Sequence, residues 1–177
     1  MSAMAAVAAV TPARVLAAQS RIAFVSKQMG VPVEGAFGRF DAQIAFDPRK
    51  PEGGTVTLQI DMASASLGVP QSDAELPKAP WFDAAKFPKA VFQSTAIRAL
   101  GGGRFELTGM LTLKGHAQPL VVPVAITQVG DTSLATGAFA LQRLEFKIGD
   151  GEWTDTSIVA NEVQVHFKLA LAGFGPL

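Results

Sequence analysis

The sequence predicts an all-β protein of about eight strands, a barrel or a sandwich, with one long, partly helical connection near residues 63–88. Three observations lead there. The apolar residues recur with a period of two over most of the chain, which is the signature of strands with one buried face. Short turn motifs rich in Gly, Pro and Asp separate the alternating runs, as in sandwiches and barrels. Only residues 63–88 lack the period.

Along the chain, SRIAFVSK carries Ile22 and Phe24, and GRFDAQIAFD carries Phe40, Ile44 and Phe46 with Ala42 in phase. DPRKPEGG (47–54) is a strong turn. TVTLQIDM alternates Val56, Leu58, Ile60 and Met62. FQSTAIRAL, with Phe92, reads as a strand closed by GGGR. RFELTGMLTLK alternates Phe105, Leu107, Gly109, Leu111 and Leu113, and GHAQP turns the chain. LVVPVAI follows with Leu120, Val122, Val124 and Ile126 in phase; Pro123, on the other parity, marks an edge or a bulge. TGAFALQRLEFKI, with Phe139, Leu141 and Phe146, reads as one strand containing Arg143. The last strand, ANEVQVHFKLAL, sets Val163, Val165, Phe167 and Leu169 inward and Glu162, Gln164, His166 and Lys168 outward. The interruption at 63–88 holds four prolines, a helical turn near 71–76, and the large apolar residues Leu67, Trp81, Phe82 and Phe87. A loop carries such groups when they bury, so Trp81 and Phe82 are expected at one barrel end, Trp81 near its mouth, and Phe87 in a structural role.

Composition narrows the function. Lys+Arg and Asp+Glu are both 15, so no net positive charge draws the chain to nucleic acid or to an anionic membrane surface. The sequence has no cysteine, which excludes disulfides and thiolate metal sites, and its two histidines are too few for a histidine-rich one. No tyrosine occurs beside 12 Phe and 2 Trp. This matches either drift in an Ala/Gly/Val-rich chain or an interior that needs few polar handles. His116, in a turn, and His166, on the polar parity, read as solvent-facing, which argues against an enzyme. GDGEW (149–153) reads as an acidic hairpin turn without calcium-loop spacing. An inward Arg143 requires a partner, either Glu145, Asp150 or a ligand headgroup. An eight-stranded barrel can be filled by side chains or can hold one small ligand. Spaced Phe among Val, Ala and Gly suits a lined channel, but parity alone leaves a filled core open. Residues 1–14 are expected to be an arm or a signal remnant, 15–172 the barrel and 173–177 a tail.

Five segments in order carry a resemblance: SRIAFVSKQMGVPVEGAFGRF, WFDAAKFPKAVFQS, LTGMLTLKGHAQPLVVPV, FALQRLEFKIG and VANEVQVHFKLAL. From about Val15 to Leu171 the chain resembles the YceI-like family of bacterial lipocalin-like, polyisoprenoid-binding proteins. The resemblance implies a lipocalin-like, eight-stranded antiparallel barrel, and a periplasmic, non-catalytic protein with an isoprenoid lipid, of ubiquinone or polyprenyl phosphate type, in its hydrophobic pore. No other cofactor is expected. It implies pore contacts from Phe24, Phe40, Phe46, Leu58, Ile60, Leu67, Trp81, Phe82, Phe92, Leu111, Leu113, Phe139, Leu141, Phe146, Val163, Val165 and Phe167. Asp73, Ala74 and Glu75 replace the basic residue and His of the commoner family form. This variant resembles a subgroup linked to membrane b-type cytochromes, which makes such a cytochrome an expected partner; a homodimer is a further option. The alternatives are a stress or partner-binding β protein with a filled core, and sequestration of apolar drugs.

Overall fold

The computed structural model describes residues 13–45 and 53–173. Phe46, most of the 47–54 turn, most of the N-terminal arm and most of the C-terminal tail lie outside the described residues.

The strands are β1 (Arg14–Val15), β2 (Arg21–Gln28), β3 (Val31–Phe37), β4 (Phe40–Ala45), β5 (Thr55–Asp61), β6 (Ala65–Ser66), β7 (Lys89–Gly101), β8 (Arg104–Leu113), β9 (His116–Val129), β10 (Thr132–Gln142) and β11 (Glu162–Ala172). One helix, α1 (Pro70–Glu75), lies in the long connection, where Pro70 opens it with a preset φ. All eleven strands join one antiparallel sheet, in the order β4-β5-β7-β8-β9-β10-β11-β2-β3-β6, with β1 on β11. Counting β3 and β4 as one bent strand, and setting aside the two-residue β1 and β6, leaves the eight long strands expected.

The sheet curls on itself through that bend. Gly38 and Arg39 separate β3, paired with β2, from β4, paired with β5. The Arg39 guanidinium donates to Asp61 at the end of β5 at 2.9 Å, and Gly38 N donates to Ser64 O. At the opposite end of β4 the chain at β1 ties that edge strand to β11: Arg14 and Val15 pair with β11, and Ala13 bridges Ile44 of β4.

Two departures from strict alternation have local causes. A bulge between Ser94 and Ala96 shifts β7 by one residue, so the buried set runs Ala90, Phe92, Ser94 and then Ile97. The β9–β10 ladder stops at the Ala125–Thr136 pair. Pro119 and Pro123 lie just past that point on the outward-facing parity of β9. Proline has no N–H to leave unpaired, so both residues suit a stretch of β9 that is not laddered to β10. β9 lies between β8 and β10, so Pro123 sits beyond the end of a ladder inside the sheet and not on an edge strand. The stretch RLEFKI, read as a continuing strand, is instead a 3-10 turn over Arg143–Phe146, stopped at Lys147 in the left-handed region (φ 59). Arg143 thus leaves the β10 parity altogether.

The inner face repeats one device. Phe24 pairs across the ladder with Gly35, and Phe167 with Gly137. Each ring lies over the glycine opposite. A Cβ at Gly35 would sit 2.8 Å from Phe24 Cε1, and one at Gly137 would sit 2.5 Å from Phe167 Cζ. Phe92 covers Gly109 in the same way, 2.7 Å from the place a Cβ would take. Glycine is what lets the ring lie flat along the wall instead of crossing the lumen.

A direct consequence is strong coupling between the partners. Gly35→Ala is expected to destabilise the fold by about 1–3 kcal/mol through overpacking. In a Phe24→Leu background the same change is expected to cost measurably less, with a coupling of about 0.5–3 kcal/mol. Chemical denaturation of the four proteins of this cycle measures it; additive effects would show that the ring and the glycine do not constrain each other.

Candidate functional site

The lumen is open and holds two adjoining cavities. The upper one has a volume of about 340 Å³, within the roughly 300–1,000 Å³ span of small-molecule pockets. The lower one measures about 120 Å³. The upper cavity lies at the end where the long connections 62–88 and 143–161 cross the sheet, and its wall includes Leu67, Leu76, Trp81, Phe82 and Trp153 from those connections. Its mouth is marked by lining residues that are also exposed: Gln28, Met29, Glu75 and Ile158. Met29, 78% exposed, is joined to Ile158 by a 2.7 Å backbone hydrogen bond. The lower cavity is lined only by Ala, Val, Leu, Ile and Phe.

The residues expected in the pore distribute as follows. Phe24, Ile60, Leu67, Trp81, Phe82, Leu111, Leu113, Phe139, Leu141, Val163 and Val165 line the upper cavity. Leu58, Phe92 and Phe167 line the lower, and Ile60, Leu111 and Phe139 also face it. Phe40 and Phe146 line neither cavity. Phe40, at the start of β4, packs half-buried against the core, and Phe146, on the 3-10 turn, is fully enclosed within it. Both were read from strand parity, which fails at a chain bend and outside a strand. Along β11, Val165 and Leu169 are buried while Glu162, His166 and Lys168 are exposed. His116 is also exposed. Parity could have found Phe37, in phase with Gly35 on β3, whose ring packs at a tilt against Phe24, 5.2 Å between centroids. Trp153 is different: it lies in the acidic loop, and only the three-dimensional path brings it to 5.4 Å from Trp81.

Arg143 is the side chain that organises this end. It is 2% exposed, and its guanidinium donates five hydrogen bonds, every one to a backbone carbonyl. Nε reaches Ala160; Nη1 reaches Ile148 and Gly149; Nη2 reaches Trp153 and Val159. The expected partners Glu145 and Asp150 take no part. The full donor set of the fork is thus spent on holding two loop segments against the end of β10. Burial pushes its pKa down from the ordinary arginine value. Gly149 (φ +76) allows this close packing, since a Cβ there would lie 2.9 Å from Trp81 Cζ3 and closer still to Arg143 Nη1.

Lys114 makes a second clasp, donating to Ala79 O at 2.8 Å and Lys147 O at 2.6 Å, and so ties the long connection to the loop after the 3-10 turn. Burial lowers its pKa and outweighs the fields of Asp150 and Asp83. Asp73, one of the three residues that depart from the commoner family form, is structural. Its carboxylate accepts from Ser66 Oγ and Leu67 N and anchors α1. Glu75 reaches the mouth and pairs with Lys78. In the acidic loop, Asp150 caps its own turn at Gly151 N, and Asp155 accepts from Ser157.

The chain matches the model of the YceI-like domain over residues 14–171. It is 27% identical over 141 residues to a UPF0312 protein of Vibrio cholerae, covering 75% of each sequence. Its fold superposes on the crystal structure of BcnA of Burkholderia cenocepacia with a TM-score of 0.85 at 46% identity, covering 88% of this chain and 98% of that one. A polyisoprenoid-binding domain from Saccharophagus degradans shares the fold, with a TM-score of 0.73 at 16% identity over 90% of this chain and 97% of that one.

Two measurements follow from the clasps. Arg143→Lys is expected to lower unfolding free energy by at least about 3 kcal/mol, since several buried carbonyls lose their donors at about 1–3 kcal/mol each; denaturant titration measures this. For Lys114 the folded pKa lies below the unfolded one, so the unfolded chain holds the proton more tightly. Stability is therefore expected to rise with pH through the window just below the ordinary lysine value of 10.5 and to level off above it. Lys114→Met is expected to flatten that rise in melting temperature.

Proposed function

The chain belongs to the YceI-like family, and from that premise we propose that it is a non-catalytic carrier of an isoprenoid lipid with a neutral, quinone-type head. The observation that supports this reading is the chemistry of the cavity walls. The far end is wholly apolar. At the near end, among the described residues, Arg143 is the one cation lining either cavity, and its five donors are already committed to carbonyls. Ser26, Gln28 and Ser72 offer uncharged polar groups, and Glu75 adds negative charge. A phosphate drawn into such a site would lose its water without gaining charged donors, a large penalty. A quinone carbonyl needs only one or two neutral donors, and its ring has aromatic faces available from Trp81 and Trp153.

The energetics fit a carrier. Burying a CH₂ is worth about 0.8 kcal/mol relative to water, yet the tail's home is a bilayer already as apolar as leucine. Transfer from membrane to lumen is therefore nearly level, and shape fit and dispersion decide it. A near-level exchange suits a protein that must release what it takes up, as in a periplasm between two bilayers. The Saccharophagus degradans domain described above as polyisoprenoid-binding lends the reading further support.

Both tryptophans of the chain line the upper cavity, so the protein carries its own probe. Titration with an isoprenoid quinone is expected to quench tryptophan fluorescence saturably, and a polyprenyl phosphate of equal tail length is expected to compete poorly. Equal or better competition by the phosphate would overturn the neutral-head reading; no quenching, with organic extracts of the protein empty, would overturn the carrier reading. Trp81→Ala is expected to speed exchange of a fluorescent isoprenoid, measured by stopped flow. Unchanged exchange would remove Trp81 from the mouth.

A further inference from the structure

The two cavities adjoin within the lumen and share part of their wall. Three side chains, Ile60 of β5, Leu111 of β8 and Phe139 of β10, line both. They come from three different strands and mark the level of the lumen at which the wall chemistry changes. Above them the lining mixes aromatic, polar and charged groups; below them it is purely aliphatic and phenyl. Phe139 is the largest of the three. It pairs across the ladder with Val165. The rings of Phe24, Phe92 and Phe167 each lie over a glycine on another strand, and Phe139 has no such cradle among the described glycines. It therefore has no glycine gap to lie in, and it lines the lumen where the two cavities meet.

We propose that Phe139, with Ile60 and Leu111, is a partition that sets the length of isoprenoid chain the barrel accepts. This rests on the carrier reading above. The upper chamber takes the head and the first part of the tail. The lower chamber, about 120 Å³, takes the terminal part only when the chain passes the partition. Once that chamber is full, further isoprene units remain outside apolar contact and add nothing to affinity. Affinity should therefore rise with tail length and then stop rising at a defined break.

The test uses a series of quinones with one head and increasing isoprenoid tails, each titrated against the full chain by tryptophan quenching. Phe139→Leu, which preserves an apolar packed wall, and Phe139→Ala, which joins the chambers, are both expected to move the break to longer tails. Ala135→Phe, which fills the lower chamber from a buried position on β10, is expected to move it to shorter tails. The Leu variant keeps the test valid if the Ala variant is too unstable to assay. If the wild type binds and shows a break that Phe139→Leu and Ala135→Phe leave in place, the partition is refuted and the carrier reading stands. If the wild type binds no quinone of any length, both are refuted.

Discussion

Everything functional in this molecule depends on where the phenylalanine rings go. A barrel of this strand number has an interior that side chains can just fill. Phe24, Phe92 and Phe167 all face inward, and rings pointing at the axis would occupy the space a ligand needs. Gly35, Gly109 and Gly137 remove that conflict by letting each ring lie against the wall. The rings still bury their area and still stabilise the sheet. The lumen stays open because the bulk has been moved sideways into gaps on another strand.

The two ends of the barrel are built on different physics. At the lower end Ala13, next to β1, bridges Ile44 of β4, and the cavity there has purely apolar walls. The upper end is made of long connections, which carry backbone carbonyls into the interior and must satisfy them. Arg143 and Lys114 do that work, and both donate to carbonyls alone. Each brings a cation close to the cavity without making it available to an anionic ligand. The same loops deliver Trp81 and Trp153 to the cavity wall. Stability and ligand chemistry at this end are therefore set by one group of interactions.

Much of this was legible in the sequence wherever a strand is straight. The alternation of Phe105, Leu107, Gly109, Leu111 and Leu113 gave the inner face of β8 directly, and the alternation of Val163 to Leu171 gave that of β11. Parity misled where the backbone changes course. Phe146 belongs to a 3-10 turn, and Phe40 begins the second arm of a bent strand. The partners of Arg143 were not readable for a different reason: every residue carries a carbonyl, so a donor that bonds only to backbone leaves no mark in the side chains. Depth was also hidden. Parity shows which side of a sheet a residue faces, but pairing Phe24 with Gly35 needs the register, and it is that pairing which decides between a filled core and an open one.

The central claim is that the rings lie flat and the lumen accepts a chain. A crystal structure of the protein purified with its own lipid tests it most directly. The account predicts continuous density of a single chain running from beside the Trp81–Trp153 pair, past Phe139, to the side chains of Phe167 and Leu169, with the rings of Phe24, Phe92 and Phe167 lying over their glycines. A lumen filled by those rings turned toward the axis, with no space and no density between them, would contradict it.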